Sequence, residues 1–379
     1  MPFMPLVFVT AILHVYIGWR IAPLLPGWAA ALFVAVLVVS TVVMPFGLLA
    51  RRIKAQPLSD VMAWAGLLFM GLFSSLFVLT LVREVVLLTA AIAARIAPGA
   101  FDVQALLEWT AAAVPILGLA VTVAGFVNAR RTAAIVSVDV PIRDLPAGLN
   151  GFTIAQISDI HIGPTIKRPY LDAIVKAVNR LDADMVAVTG DLVDGSVPEL
   201  HHHVAPLAGL SSKHGTYFVT GNHEYYSGAH AWIAELQRLG VRVLLNEHVV
   251  LQHGASALVL AGVTDFSAHR FDPAHRSDPH AAMRGAPAHA GARVLLAHQP
   301  RSAEAAEKAG FQLQLSGHTH GGQFMPWNLF VRFQQPFTAG LHKLRELWVY
   351  TSRGTGYWGP PKRFGAPSEI TRLRLVPAI

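Results

Sequence analysis

Five short polar motifs in the second half of the chain carry side chains of the types that bind divalent metals. They are Asp159-Ile160-His161, Gly190-Asp191, Gly221-Asn222-His223, His298 and Gly317-His318-Thr319-His320. The donors are carboxylates, an amide and imidazoles, with no thiolate, since the chain has no cysteine. Such a mixture is what two neighbouring divalent cations require, and it predicts a site that hydrolyses phosphoesters.

A short apolar segment precedes each motif, as expected of a buried strand that ends where the motif begins. The segments are 152–158, 185–189, 216–220, 293–297 and 311–316. Helical patterns at 170–181 and 231–239 lie between some of them. Alternating strands and helices predict a largely parallel α/β arrangement, in which ligands bind at the carboxyl ends of the strands. We therefore expect the strand ends to converge on one cleft.

Glycines stand directly before three of the candidate ligands, at Gly190, Gly221 and Gly317. A residue without Cβ allows a sharp turn and a close approach of metal or ligand. His318 and His320 are two positions apart, so an extended backbone would place both imidazoles on the same side. One strand end could then serve two cations.

Taken in this order, the five motifs resemble those of the calcineurin-like metallophosphoesterases, over about residues 152–371. A lone Asp-x-His occurs by chance in many chains, whereas five motifs in order form a specific pattern. The resemblance implies an α/β fold of four layers, αββα, in which two sheets pack face to face with helices outside. We assign this domain to residues 132–379.

The resemblance also implies a role for each donor. One cation would be held by a carboxylate and two imidazoles: Asp159, His161 and His320. The other would be held by an amide and two imidazoles: Asn222, His298 and His318. Asp191 would bridge the two cations, and His223 would be the catalytic residue that faces the substrate.

Two cations about 3.5–4 Å apart would bind phosphoryl oxygens and activate a water for in-line attack on phosphorus. His223 would donate a proton or hydrogen bond to the leaving oxygen, a task suited to an imidazole near neutral pH. The imidazole-rich set suits Mn, Fe or Zn better than Mg or Ca, without choosing among the three.

Several neighbouring residues allow two interpretations each. Asp194 is expected to cap the following helix rather than to orient a ligand. Glu224 would support His223 or only begin a helix, and Arg353 would contact phosphate or form a structural ion pair. The run 201–203 of three histidines is expected in a solvated loop, and 266–291 is expected to be a mobile insertion beside the cleft.

The first third of the chain has the composition of a membrane anchor. The chain is 53% hydrophobic and 14% charged, with a mean hydropathy of +0.45. Four apolar runs, at about 3–25, 28–50, 61–82 and 109–127, approach or exceed the roughly 20 residues that cross a bilayer as a helix. The apolar stretch 85–97 is too short to cross alone and would extend the third helix or lie at the interface. We expect a transmembrane bundle over residues 1–131, with no cleaved signal peptide.

Basic residues predict the orientation of this anchor. Arg51, Arg52 and Lys54 lie between the second and third spans, and Arg130 and Arg131 follow the fourth. The positive-inside rule then places the N-terminus, the 51–60 loop and the catalytic domain in the cytoplasm, with the protein multi-pass in the inner (plasma) membrane. The net charge of +7 would hold the domain near anionic lipid headgroups, and no stable nucleic-acid partner is expected.

Two segments bear on the substrate. Residues 321–333 are unusually aromatic, which indicates either an apolar lip for a lipid or packing against the second sheet. Residues 352–358 resemble a segment of a membrane-associated bacterial branch that includes UDP-diacylglucosamine pyrophosphatases. We therefore predict hydrolysis of a phosphoester or pyrophosphate on a lipid or lipid-linked nucleotide. The alternatives are a phosphodiesterase or nuclease for soluble nucleotides and a non-catalytic membrane metal sensor.

Overall fold

A computed structural model describes residues 3–50, 53, 55–99 and 102–378. It divides into two compact units. The first comprises Met1–Asn128 with Gly359–Lys362, and the second comprises Ala129–Trp358 with Arg363–Ile379. The domain bounds of 1–131 and 132–379 stay a prediction.

The first unit is built on four long helices: α1 (Phe3–Ile21), α2 (Gly27–Leu49), α3 (Leu58–Ile96) and α4 (Val103–Arg130). Each contains a window long and apolar enough to cross a membrane, which agrees with the four predicted spans. The apolar stretch 85–97 continues α3, one of its two predicted positions. The basic cluster Arg51, Arg52 and Lys54, on which the predicted orientation depends, lies outside the described residues.

Polar side chains between these helices bond to one another. Arg20 donates two hydrogen bonds to the Glu84 carboxylate, at 2.6 and 2.8 Å. The His14 imidazole lies 2.8 Å from both Thr10 O and Ser40 Oγ. Because hydrocarbon offers no hydrogen-bond partner, such groups in a membrane bundle must satisfy one another inside it.

In the described part of the second unit, twelve strands form two six-stranded sheets. In chain order they are β1 (Ala134–Ile142), β2 (Thr153–Ile157), β3 (Met185–Val188), β4 (Thr216–Phe218), β5 (Arg242–Val243), β6 (Glu247–His253), β7 (Ser256–Gly262), β8 (Ala292–Leu296), β9 (Leu313–Ser316), β10 (Gly340–Leu344), β11 (Leu347–Thr351) and β12 (Glu369–Pro377). One sheet has the order β1-β12-β2-β3-β4-β5, the other β10-β11-β9-β8-β7-β6. The segments that precede the five motifs are β2, β3, β4, β8 and β9, and neighbouring members of this set pair in parallel.

Helices cover the outer faces of the sheets. They are α5 (Arg168–Asn179), α6 (Val197–Val204), α8 (Ala229–Arg238), α9 (Pro279–Met283) and α10 (Ala303–Lys308). Two further short helices are α7 (Asn222–Ser227) and α11 (Asn328–Val331), and the residues of α11 are half-buried or exposed. On β3, Met185 and Ala187 enter the core between the sheets, while Val186 and Val188 enter the core under the helices. Strands buried on both faces are continuously apolar, as this one is. The predicted four-layer αββα sandwich is confirmed.

One local expectation is wrong. The three histidines at 201–203 lie in α6, not in a loop, because Ser196 and Glu199 form a capping box that begins the helix. The 266–291 segment contains short helical turns, and its predicted mobility stays a prediction. Asp272 and Asp278 cap two short helical turns there by accepting hydrogen bonds from Ala274 N and Ala281 N.

One polar side chain joins the two sheets beneath the motifs. Gln156, an inward-facing residue of β2, donates to Ser316 O at the end of β9, at 2.9 Å. It also donates to Thr189 Oγ1 at 2.9 Å. Since β2 and β9 belong to different sheets, this side chain fixes the ends of both sheets against each other at the edge where the motifs emerge.

Candidate metal centre

The structure gathers six of the seven predicted donors into two groups of one carboxylate and two imidazoles. Within each group the ligating atoms lie within 4.8 Å of one another. The first group is Asp159, His161 and His320, and the second is Asp191, His298 and His318. These residues follow strands of both sheets, so the predicted convergence of strand ends is confirmed.

One oxygen of Asp191, a member of the second group, lies near imidazoles of both groups. Its Oδ2 lies 3.1 Å from His298 Nε2 and 4.0 Å from His161 Nε2. His161 Nε2 is in turn 3.0 Å from His320 Nε2. A single carboxylate oxygen therefore faces imidazoles of both groups, as a bridging position requires.

Asn222 supplies a further donor beside Asp191. It begins α7 and is buried, and the next backbone amide, His223 N, donates to Asp191 Oδ1 at 2.9 Å. The Asn222 Oδ1 atom is buried and has no hydrogen-bond partner in the described structure. A buried amide oxygen without a partner is costly. An amide oxygen without a partner, one residue before the amide that bonds Asp191, fits a metal ligand, so these residues suit a divalent cation.

Five of the seven predicted ligands have a left-handed backbone, a conformation uncommon outside glycine. Their φ angles lie between 51° and 69°: Asp159, His161, Asp191, His318 and His320. The expectation that an extended backbone places His318 and His320 on the same side is therefore wrong. Each of the two turns sharply, and their imidazoles enter different groups. Strain of this kind clusters at functional sites.

Gly221 and Gly317 permit the closest approaches in the site. A Cβ at Gly317 would overlap Ser158 Oγ and Asp159 Oδ2, and one at Gly221 would overlap Asp191 Oδ1. Only hydrogen occupies those positions in glycine, so the carboxylates can lie directly against the neighbouring loops. This confirms the reason given for both glycines from the sequence.

Asp194 orients two imidazoles and is not the N-cap residue of α6. Its Oδ1 lies 2.5 Å from His223 Nδ1 and 3.3 Å from His161 Nδ1, while Ser196 is the N-cap of α6. The prediction that Asp194 is a helix cap is therefore wrong, because the chain makes a further turn before the helix begins. His223 itself is half-buried, and its ring packs against Tyr226 and Trp358, with centroids 5.1 and 5.7 Å away.

Glu224 holds the Asp191 loop rather than His223. Its carboxylate is fully buried and accepts from Gly221 N at 2.6 Å, Leu192 N at 2.8 Å and Asp191 N at 3.0 Å. Burial, with Asp191 nearby, raises the pKa of Glu224 to about 7. One side chain thus joins the β3 and β4 loops, a role that spacing along the chain could not indicate.

Burial and neighbouring charges shift the pKa values of the titratable groups in this site in different directions. Burial raises the pKa of Asp159. Burial also works to raise the pKa of Asp191, but neighbouring imidazoles, His298 first, hold it well below its ordinary value. Burial lowers the pKa of His223, yet Asp191 and Asp194 outweigh it and raise the value to about 9. Burial and His298 lower the pKa of His318 to about 3, so its imidazole is neutral and can act as a metal ligand.

Two arginines complete the surroundings. Arg363, which the sequence did not single out, is buried and donates to His320 O at 2.9 Å and Arg353 O at 2.7 Å. These bonds hold the strained turn at His320. Arg353 pairs with buried Glu369 at 2.7 Å, the structural one of its two predicted roles. Arg363 was not identifiable as a support from the sequence, because His320, which it holds, lies 43 residues away along the chain.

Comparison with known proteins agrees with this site. Residues 152–322 match the family model of the calcineurin-like phosphoesterases. A Bos taurus transmembrane protein with a metallophosphoesterase domain is 42% identical over 280 residues, which is 70% of this chain and 63% of that protein. A Caenorhabditis elegans metallophosphoesterase is 32% identical over 338 residues, 84% of this chain and 69% of its own. An Aquifex aeolicus metallophosphoesterase is 32% identical over 228 residues, which is 60% of this chain and 85% of that protein.

The chain therefore spans less than two thirds of the bovine relative's length and most of the nematode and Aquifex relatives. The name of the bovine protein and the four apolar helices together support membrane association. Sequence similarity over most of two relatives and a matching family model thus converge with the gathered motifs. The chain belongs to the calcineurin-like metallophosphoesterase family.

Proposed function

We propose that this protein is a membrane-anchored, binuclear metal-dependent phosphohydrolase acting on a phosphoester or pyrophosphate of a lipid or lipid-linked nucleotide. The main observation in support of a hydrolase is that Asp191 Oδ2 lies near imidazoles of both groups. The residues suit two Mn, Fe or Zn ions, and family membership supports the reaction class. The proposed lipid substrate is supported by a separate observation, the exposed apolar side chains between residues 325 and 333.

Each residue has a defined task in this proposal. Asp159, His161 and His320 would hold one cation. Asn222, His298 and His318 would hold the other, and Asp191 would be shared between them. Such cations, when bound, would neutralise charge on the phosphoryl group and lower the pKa of a water.

His223 donates the proton that the leaving oxygen needs. Its Nδ1 is held by Asp194 at 2.5 Å, so Nε2 is the nitrogen left to face the substrate. A purely structural metal site has no need of such a donor. The His223–Asp194 pair therefore favours a hydrolase over a non-catalytic metal sensor.

Replacing Asp191 by Asn tests the binuclear centre. Removing one partner of a buried charged pair costs about 3–5 kcal/mol, which corresponds to about 100- to 5,000-fold in metal affinity. We expect elemental analysis of the purified full-length variant to show weakened occupancy of both ions. Asp172→Asn, a half-exposed carboxylate on α5, is the control. Two ions retained at unchanged affinity would contradict the bridging role.

An exposed apolar surface beside the site supports a lipid substrate. We define the apolar lip as Met325, Trp327, Leu329, Phe330 and Phe333, whose exposed fractions range from 41% to 74%. Gln323 joins the lip to the site by bonding Trp358 O and Trp358 N, both at 2.8 Å. Trp358 packs against His223. Packing against the second sheet would bury these side chains, so their exposure favours the lip interpretation.

A double replacement, Phe330→Ser with Phe333→Ser, tests the lip. Removing two rings that enter lipid is expected to lower hydrolysis of vesicle-borne substrate by at least about tenfold, because each buried Phe contributes about 1.5–3 kcal/mol. Hydrolysis of a soluble aryl phosphate is expected to stay unchanged. Ile135→Ser, an exposed residue on β1, is the control.

The substrate itself can be found by mass spectrometry. Metal-loaded protein is incubated with a membrane lipid extract, with the Asp191→Asn variant run alongside, and the phosphorylated species that vanish are identified. We expect a lipid phosphoester or pyrophosphate among them. Soluble nucleotides hydrolysed far better than any extract component would remove the lipid proposal while leaving the hydrolase intact.

The proposed orientation places the catalytic domain in the cytoplasm, in a multi-pass protein of the inner membrane. Because the chain has no cysteine, single cysteines can report sidedness. We expect Lys213→Cys to react with an impermeant maleimide only in broken cells, and Pro98→Cys, between α3 and α4, to react in intact cells. The reverse pattern would invert the orientation.

A further inference from the structure

A second cluster of metal-type side chains lies outside the candidate metal centre. His230 is on α8, and Asp272 and His275 are on a helical turn after β7. Their ligating atoms lie within 4.8 Å of one another. His230 Nε2 is 3.1 Å, and His275 Nε2 4.0 Å, from the same atom, Asp272 Oδ2. Two imidazoles from segments far apart in sequence thus face a single carboxylate oxygen.

Bonds on the far side of two of these groups orient their ligating atoms. Asp272 Oδ1 accepts from Ala274 N at 2.9 Å, which directs Oδ2 towards the histidines. His275 Nδ1 lies 2.8 Å from the Tyr225 hydroxyl, which directs Nε2 towards Asp272. The His275 backbone is fixed as well, because Thr264 Oγ1 donates to His275 O at 2.8 Å. Metal-binding histidines and carboxylates are commonly held by such second bonds.

We propose that His230, Asp272 and His275 bind a third divalent ion of the Zn²⁺ class, with water completing the coordination. Two imidazoles and one carboxylate form a ligand set that zinc accepts with three protein ligands and one open position. An ordinary ion pair explains the cluster less well. His230 is 74% exposed, and an exposed pair contributes little stability and would not require two imidazoles on one oxygen.

The ion would join three parts of the structure. It connects α8 to the segment after β7, and through Tyr225 it reaches α7, the helix that carries His223. Phe271, next to Asp272, also packs against Tyr226, with ring centroids 5.5 Å apart. Binding would therefore stiffen the wall of the cleft beside His223 without supplying a group to the reaction.

Zinc titration of the full-length protein in detergent, followed by elemental analysis, tests the proposal. We expect His230→Ala to bind one zinc ion fewer per chain than the natural protein at the same free zinc. His280→Ala, an exposed histidine of the same segment, should bind as the natural protein does. Repeating the comparison in the Asp191→Asn background should give the same loss of one ion. That result distinguishes this site from the candidate metal centre.

Two further variants cover a folding defect in His230→Ala. Asp272→Asn keeps the size of the side chain and removes the charge, and it should also lose one ion. Tyr225→Phe removes only the supporting hydroxyl and should weaken zinc affinity by about 10- to 100-fold. Hydrogen exchange over residues 266–283 should slow on zinc addition in the natural protein but not in His230→Ala. Equal zinc content in all variants, with no protection of that segment, would overturn the proposal.

Discussion

Replacing Asp194 by Asn tests how the proposed proton donor is held. In the structure Asp194 Oδ1 lies 2.5 Å from His223 Nδ1, and both groups are largely withdrawn from water. Asn keeps the shape but loses the charge, and its amide presents a donor where an acceptor is needed. A hydrogen bond to a charged group contributes about 1.5–3 kcal/mol. If that energy is fully expressed in the transition state, kcat falls by about 10- to 150-fold.

The same change also weakens metal binding, since Asp194 Oδ1 lies 3.3 Å from His161 Nδ1. A loss of about 10- to 100-fold in affinity is usual for such a support. The assay must therefore be run at saturating metal, with occupancy checked by elemental analysis. Asp172→Asn is again the control for a charge change outside the site.

Leaving-group dependence separates proton donation from general disruption. An alkyl phosphate needs a proton on its leaving oxygen, whereas p-nitrophenolate leaves without one. We expect the full loss of kcat for the alkyl ester and a much smaller loss for the aryl ester. Equal losses for both esters at full metal occupancy, or no loss at all, would refute the assignment of His223 as the donor held by Asp194.

Three further predictions concern the support of the site. Glu224→Gln should lower the free energy of unfolding by about 1–3 kcal/mol in a urea titration, because at least one of the three backbone amides loses its acceptor; exposed Glu304→Gln should change it little. Gly317→Ala should reduce the metal content and lower the free energy of unfolding by about 1–3 kcal/mol, because the added Cβ would overlap Asp159. The control is Gly209→Ala, whose Cβ would meet only ordinary contacts. Equal effects of the two substitutions would contradict the close-approach explanation. Chelation should lower the Tm of the catalytic domain by about 10–20 °C if each of the two ions was present at 100 times its Kd, because each then contributes about 2.7 kcal/mol; an unchanged melting curve would contradict metal binding.

The apolar segments alone predicted the strands that end at the site, whereas the packing of two sheets was implied by the resemblance of the five motifs to the family. Apolar segments such as 185–189 are too short for helices and are followed at once by polar donors, so burial requires strands that end at the site. The four apolar runs likewise predict the helices α1–α4, because their length and composition leave few alternatives. The candidate ligands were identifiable because metals accept few side-chain types.

Tertiary structure alone decided how those ligands are held. The left-handed turns at His318 and His320 follow from packing against neighbouring loops, which no local propensity encodes. Asp194 was mistaken for a cap, because its two imidazole partners lie 29 and 33 residues away along the chain. Glu224, Arg363 and the cluster of His230, Asp272 and His275 are defined by the same kind of long-range contact. Sequence specifies which groups can do the chemistry, whereas contacts between distant segments fix their orientation.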